Sequence, residues 1–336
     1  MNILLTSTGR RTYLINYFKD AIRPLNGKVF ASNSNLTFAL TQAHSYVITP
    51  AIYESNYIDF LISYCKEYEI SAVISLFDID LPILSKNKQR FEDNGINLVI
   101  SESDVIDICN DKWKTYQFLE SNKINTPKTY IDLDEAKNSI NNQDLKFPVI
   151  VKPRWGMGSM SIYKAEDLLE LEVFYNKVKR EIAESYLRFE SSADFYNSVL
   201  IQQFISGTEY GIEVINDLEN NYIETFCKKK IAMRSGETDV AITIDNQDLK
   251  QLGMHISNKL KHTFILDADC LEQEGKFYVL ELNARFGGQY PFSHLAGANI
   301  PRQLIDWLLG TGFNSDFFTI KANVKSSKDI NPVIIN

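Results

Sequence analysis

The feature that most constrains the fold is an alternation, over the first hundred residues, of short apolar runs with amphipathic stretches. Apolar runs at 3–5, 28–31, 72–76 and 96–100 are separated by amphipathic stretches at 14–22, 57–68 and 81–91. A chain of this kind buries both sorts of surface by laying helices over a parallel sheet. Residues 1–107 are therefore expected to form one Rossmann-like α/β domain. The turn after its first strand, Thr6-Ser7-Thr8-Gly9-Arg10-Arg11, offers backbone N–H groups and two guanidinium groups to an anion. A second reading has Ser7 or Thr8 capping the next helix. The turn does not match G-x-G-x-x-G, so a dinucleotide is not indicated.

Composition narrows the class. With 336 residues, 44% of them apolar and 12% aromatic, the chain can fill two or three compact domains. The net charge of -8, with 35 basic residues scattered among 43 acidic ones, gives no basic stripe, and nucleic acid is not an expected partner. The opening residues turn polar at once and no later apolar run is long enough to cross a bilayer, so a soluble cytoplasmic protein without a membrane partner is expected. Cys65, Cys109, Cys227 and Cys270 lie far apart without a C-x-x-C pair, as ordinary buried thiols would.

A helix over 104–120 is expected to lead into Ile124-Asn125-Thr126-Pro127-Lys128, where proline favours extended backbone and a second domain begins. Strands at 149–151, near 161–163 and at 199–203, with a long helical region over 167–195, describe a small α+β unit. Further strands at 211–216, 222–228, 265–271 and 276–283 accompany helices at 247–261 and 300–309. The polar stretch after Gly310 has no readable role.

The most informative chemistry lies in Asp267-Ala268-Asp269-Cys270-Leu271, a turn at Glu274-Gly275, and the run 277–288, which contains Glu281-Leu282-Asn283-Ala284-Arg285. Alternate side chains of a strand share a face, so Asp267 with Asp269, and Glu281 with Asn283 and Arg285, form two rows. In a hairpin these oxygens converge, and magnesium is commonly held by one or two carboxylates together with nucleotide phosphates. Asp269, Glu281 and Asn283 are the expected ligands; strand phase also permits Asp267. Arg285 would face a transferred phosphoryl group. Acids set in strongly apolar strands are poorly explained as surface decoration.

Val149-Ile150-Val151-Lys152-Pro153 places a lysine at a strand end before Arg154-Trp155-Gly156-Met157-Gly158-Ser159-Met160-Ser161. Small residues let a backbone approach a phosphate closely. Taken alone this is a weak signal, and it lacks P-loop spacing. Lys112 is a second candidate phosphate contact. In 200–210, the segment Gln202-Gln203-Phe204-Ile205 could hold adenine through its backbone, with Glu209 accepting from ribose hydroxyls.

In combination these pieces resemble the ATP-grasp superfamily, and within it single-module relatives of the carbamoyl-phosphate synthase large subunit. The resemblance covers most of residues 1–310. It implies a Rossmann-like pre-ATP-grasp domain (1–107), an ATP-grasp domain (108–310) with a lid over about 125–205 and a catalytic core over about 206–310, and a tail (311–336). It also implies that ATP is clamped between two sheets. Lys112 and Lys152 match the phosphate-binding lysines, Gly156, Gly158 and Ser159 the mobile loop, and Gln202, Gln203, Phe204 and Ile205 the adenine hinge. Glu209 matches the ribose-binding acid, Asp269, Glu281 and Asn283 the metal ligands, and Arg285 the arginine at the reacting phosphate or carboxylate. Gln202 departs from the glutamate that many members carry. One module also lacks the paired sites that carbamoyl phosphate synthesis needs.

On this resemblance Lys228-Lys229-Lys230 and the following residues to Thr238 fall where the family places a substrate loop, with Arg234 and Lys230 as candidate catalytic contacts to a carboxylate or acyl phosphate. A solvated surface loop is the competing reading. His294 is a candidate acid–base group or a satisfied core histidine. The implied activity is an ATP-dependent carboxylate–amine or carboxylate–thiol ligase working through an acyl phosphate. It would use ATP with Mg2+ or Mn2+ and small carboxylate and amine substrates, and a homodimer is a possible assembly. The alternative is an ATP-binding regulatory or scaffold protein of the same fold.

Overall fold

The computed structural model describes residues 1–335. Strands β1 (Asn2–Thr6), β2 (Lys28–Asn33), β3 (Ser45–Ile48), β4 (Ile70–Ser75) and β5 (Asn97–Val99) form a parallel sheet in the order β3-β2-β1-β4-β5. Ile3, Leu4 and Leu5 of β1 are wholly buried, as both faces of a central parallel strand must be. The helix Thr12–Ile22 lies on this sheet through Leu14, Ile15, Phe18, Ala21 and Ile22, the spacing of one helical face. Strand order reverses between β1 and β4, so the loops after these two strands flank the crevice where such sheets place ligands.

Two antiparallel sheets follow. Strands β6 (Thr129–Tyr130), β7 (Val149–Pro153), β8 (Tyr163–Ala165) and β9 (Val199–Gln203) pair in the order β6-β9-β7-β8. They are covered by the helix Leu168–Glu184 over a cluster that includes Val149, Val151, Leu171, Val178, Ile182 and Ile201. Strands β10 (Thr208–Asn216), β11 (Tyr222–Arg234), β12 (Glu237–Ile244), β13 (Ile265–Gln273), β14 (Lys276–Asn283) and β15 (Lys325–Ser327) form a sheet in the order β14-β13-β10-β11-β12-β15. The fold is thus a mixed α/β protein: a parallel-sheet N-terminal domain followed by antiparallel sheets.

The large sheet is amphipathic by strand phase. Ile212, Val214, Leu266, Ala268, Cys270, Val279 and Leu282 form its apolar face, in one cluster with Leu249, Ile256 and Leu260 of the helix Gln247–Leu260. The opposite face carries Glu209, Gly211, Glu213, Lys228, Lys230, Asp267, Asp269, Glu281 and Asn283. Such a row of charges is tolerated only where partners or ligands meet it.

Several elements differ from expectation. The helix anticipated over 104–120 is two helices, Ser103–Asn110 and Lys112–Ser121, because Asp111 is extended and its carboxylate accepts from the N–H groups of Trp113 and Lys114. The stretch 81–91 likewise divides into Leu81–Lys86 and Lys88–Glu92. The region 167–195 contains Leu168–Glu184 and the short helix Leu187–Ser191. The expected substrate loop after Lys228 is instead a long hairpin of β11 and β12 turning at Ser235 and Gly236. The polar tail supplies β15, which closes the edge of the large sheet by pairing with β12. The four cysteines are free and buried, and among the described residues no helix is long and apolar enough to cross a membrane.

Lys228 is fully buried, and its Nζ donates to Glu213 Oε2 at 2.8 Å and to Ser293 Oγ at 2.8 Å. Removing one charge strands the other in a dry site. Lys228→Met should therefore cost about 3 kcal/mol or more of unfolding free energy. The double variant with Glu213→Leu should recover most of that loss. Urea midpoints for the single and double variants check this, and an unaltered midpoint for Lys228→Met alone would refute it.

Candidate active site

Between the four-stranded sheet and the charged face of the large sheet lies a cleft with two lobes. The first encloses about 730 Å³ and is lined by Lys112, Lys152, Gly156, Gly158, Ser159, Glu209, Asp269 and Glu281, with Leu280 and Met233 among its apolar walls. The second, about 750 Å³, is lined by Arg11, Asp78, Lys230, Glu237, Asp267, Asn283, Arg285 and Gln289. Gly156, Met157, Gly158, Met233, Gly236, Asp269 and Glu281 line both, so the lobes meet at the two carboxylates.

The hairpin places the acids by register. Asp269 lies opposite Glu281, and Asp267 opposite Asn283. Asp269 receives Lys230 Nζ at 2.7 Å, and the same ammonium donates to Glu209 at 3.0 Å. Lys112 Nζ is 3.9 Å from Glu281 and also donates to the carbonyl of Gly156. Burial pushes the Asp269 carboxyl well above the usual carboxylate range while Lys230 pulls it down. Asp267 is committed elsewhere: its Oδ2 accepts from Arg285 Nη1 at 3.2 Å, and its Oδ1 accepts from Gln289. Of the two aspartates, Asp269 thus has the oxygens facing both lobes. Gly211 makes the Gln289 contact possible, since a Cβ there would lie 1.5 Å from Gln289 Oε1.

Arg285 is buried and spans two parts of the chain. Its Nε and Nη2 donate to Asp78 Oδ2 at 3.1 and 2.7 Å, and its Nη1 reaches Asp267. Asp78 follows β4 of the first sheet, so Arg285 ties that sheet to the hairpin of β13 and β14. Asp80, two residues on and fully buried, accepts from Thr6, Ser7 and Ser75 and so binds the loops after β1 and β4 together. Ser7 is thereby used in a tertiary contact, and no side chain caps the helix at Thr12, which removes the capping reading of this turn.

In the first lobe Lys152 Nζ donates to Gln202 Oε1 at 2.8 Å, and Gln202 Nε2 donates to Thr129 Oγ1 at 2.8 Å. A glutamine suits this bridge because it accepts from the lysine and donates to the hydroxyl at once. Burial, and then the neighbouring Lys112, push the Lys152 ammonium down to about 8. Gln203 accepts from the N–H of Lys128 at 3.2 Å, Phe204 lies under Lys164, and Ile205 is buried. Of the four proposed hinge residues, Gln202 meets Lys152, and none of the four lines either lobe. Arg154, at the root of the glycine loop, is fixed by Asp111 at 2.8 and 2.7 Å and by Asp194 at 2.9 Å. The hairpin tip meets that loop, a Cβ on Gly236 falling 2.7 Å from the Gly158 carbonyl.

Other expected positions lie outside the cleft. Arg234 is half-exposed and pairs with Asp239 at 2.8 Å, and it lines neither lobe. His294 stacks on Tyr17 with ring centroids 3.6 Å apart and is pushed down to about 4 by burial, which suits a packed neutral ring. Sequence reasoning missed Asp78, and it gave no separate role to Glu237, inside the expected 228–238 segment, or to Gln289. Asp78 had a usable signal, the crevice rule for loops after β1 and β4. Burial raises the Glu237 carboxyl, but Lys328, Arg11 and Arg10 hold it below its ordinary value. Lys328 donates to Glu237 at 3.1 Å, so the tail reaches the rim of the second lobe.

A family model for the ATP-grasp domain matches residues 109–289, and one for the PylC-like N-terminal domain matches residues 3–99. The chain belongs to the ATP-grasp family. It is 22% identical over 211 residues to the arginine-specific large chain of carbamoyl phosphate synthase from Bacillus subtilis, covering 60% of this chain and 19% of that relative. This chain thus spans about a fifth of that relative's length. The biotin carboxylase domain dimer of 2-oxoglutarate carboxylase from Hydrogenobacter thermophilus, solved with MgADP, ADP and bicarbonate, superposes with a TM-score of 0.76 at 16% identity. That match covers 96% of this chain and 73% of the other. The L-amino acid ligase from Bacillus licheniformis gives a TM-score of 0.70 at 21% identity, covering 91% and 75%. These structures share the fold.

A polyphosphate bound beside Lys152 would favour its charged form. Below about pH 8 the free protein already holds that charge; above it a proton must be taken up on binding, and affinity should fall by up to about tenfold per pH unit. Calorimetric titration with a magnesium complex of a non-hydrolysable ATP analogue between about pH 7 and 9.5 measures this. Lys152→Met should bind more weakly at pH 7 and lose this fall; an affinity that does not vary with pH in the parent protein would contradict the assignment.

Proposed function

We propose that this protein is an ATP-dependent ligase that activates a carboxylate as an acyl phosphate and passes the acyl group to an amine, releasing ADP and phosphate. The observation that carries the reading is the meeting of the two lobes at Asp269 and Glu281. One lobe is walled by Lys112, Lys152 and the glycine loop, the other by Arg285.

The triphosphate lies against Lys112 and Lys152, whose ammonium groups neutralise its charge, and the N–H groups of the Gly156–Ser159 segment close over it. Asp269, Glu281 and Asn283 fit a magnesium ion, being hard oxygen donors in cross-strand register and too few to form a complete protein cage. When bound, the ion withdraws charge from the phosphate oxygens. A carboxylate oxygen of the substrate attacks the γ-phosphorus, the bond to the β-phosphate oxygen breaks, and ADP leaves. Arg285, held in place by Asp78 and Asp267, faces the charge that develops there. The amine then attacks the acyl carbon and inorganic phosphate departs with the bonding pair. Lys230 stands between Asp269 and Glu209, and a cation held by these acids would leave its ammonium group available to an anionic intermediate. The glycine loop and hairpin tip exclude water that would hydrolyse the acyl phosphate.

ADP release with ATP and Mg2+ across paired small carboxylates and amines tests the reading, with Glu281→Gln as control. Turnover that needs both partners and falls by about 100-fold or more in the control is expected. Failure of ATP to bind would reject the reading, and binding without turnover for any pair would favour an ATP-binding regulatory role.

A further inference from the structure

The second lobe is lined by three residues with a buried polar atom that the protein leaves without a partner: Gln289, whose Oε1 lies against Gly211, and Arg11 and Asp78. Arg11 Nη1 and Asp78 Oδ1 are both shielded from solvent and make no hydrogen bond among the described residues. Both line the same lobe, and both sit on loops at the carboxyl ends of the parallel strands that flank the strand-order reversal, β1 and β4. The remaining charges there are spoken for. Arg285 is shared by Asp78 Oδ2 and Asp267, Lys230 by Asp269 and Glu209, and Glu237 by Lys328.

An unpaired guanidinium N–H and an unpaired carboxylate oxygen in one dry recess are costly unless a ligand completes them. A plain amine would satisfy Asp78 and leave Arg11 alone. A simple carboxylic acid would meet Arg11 and leave Asp78 Oδ1 without a partner. A zwitterion satisfies both. We infer that one of the two substrates is a free amino acid, with its ammonium group on Asp78 Oδ1 and its carboxylate on the Arg11 guanidinium. Arg11 lines only the second lobe, so the carboxylate held there is a recognition group, distinct from the one phosphorylated at Asp269 and Glu281. Arg11 and Asp78 are thus specificity determinants placed on the first domain. The inference rests on the ligase reading only for the word substrate; the pocket itself predicts binding.

Calorimetry on the full chain with a magnesium complex of a non-hydrolysable ATP analogue, titrated with each of the common amino acids, tests this apart from turnover. At least one amino acid should bind. Its decarboxylated amine, its carboxamide and its N-acetyl derivative should each bind about 10- to 100-fold more weakly. Arg11→Gln should lose a similar factor, and Arg11→Lys, which keeps the charge without the planar fork, a smaller one. The ligand analogues make the test independent of how the variants fold. Binding of no amino acid, equal binding of the amine or carboxamide, or affinity unaltered in both Arg11 variants would each overturn the inference. A ligase that turns over with simple amines alone would overturn it while leaving the proposed reaction intact. Amino acid binding without ADP release would do the reverse.

Discussion

Arg285 is the residue on which the site depends. Its side chain is buried between Asp78, which belongs to the first domain, and Asp267 of the hairpin of β13 and β14. A guanidinium in this setting is stable only when its donors are met by carboxylates in good geometry, and Asp78 meets two of them on a single oxygen. The two carboxylates hold the guanidinium charged, overriding the burial that opposes it. One ion pair therefore sets the distance between the loops after β1 and β4 and the acids of β13 and β14. It also leaves Asp78 with one oxygen free, which is why a structural contact can double as a recognition group.

Around this anchor the cleft is held by lysines that stand against the carboxylates. Lys230 between Asp269 and Glu209, and Lys112 near Glu281, supply positive charge where a metal–nucleotide complex would bring more. Carboxylates this close could not all remain ionised without such company. The same ammonium groups can then pair with phosphate oxygens, so ligand binding exchanges ion pairs rather than desolvating bare charges. Lys228 is a different case. It is sealed beneath the sheet with Glu213 and Ser293, on the same strand face as Lys230 but without access to the cleft. Neighbouring lysines of one basic run thus serve packing and chemistry separately.

Much of this was legible in the sequence, for reasons that can be stated. The period-two spacing of Asp267, Asp269, Glu281 and Asn283 fixes their common face, and hairpin register then brings them together. The strand ending in Lys152 and the glycine loop were read in place, and both line the first lobe. What failed were inferences that needed tertiary contact. Helix periodicity runs smoothly through Asp111, yet Arg154, 43 residues on, recruits that carboxylate and the chain breaks there. Arg234 has the charge of a substrate contact, but while its neighbours Met233 and Gly236 line the cleft, its own guanidinium pairs with Asp239. Gln202 was read for what its backbone could do for adenine, and the role of its side chain, an amide that bridges Lys152 and Thr129, needed the tertiary structure. Asp78 and Glu237 carry no local motif at all, because their meaning comes from strand order and from the tail.

The distribution of cores explains how such a cleft could open. The four-stranded sheet and its helix bury a cluster of their own, whereas the other two apolar clusters each include residues of both the parallel sheet and the large sheet. Moving the four-stranded unit need not expose apolar interior, while separating the first domain from the large sheet would. The glycine loop reaches the rest of the protein mainly through Lys112 and the hairpin tip at Gly236. Movement of the four-stranded unit away from the large sheet would break these contacts and free the lysine. Phosphates arriving at Lys112 would compete with the Gly156 carbonyl for the same ammonium, so nucleotide entry and movement of the loop are coupled through one side chain. The opposite wall, carrying Arg11, Asp78 and Arg285, stays rigid on the shared cores. On the proposed reading, recognition would fall on the wall built on the shared cores, and any gating on the four-stranded unit, whose core is its own.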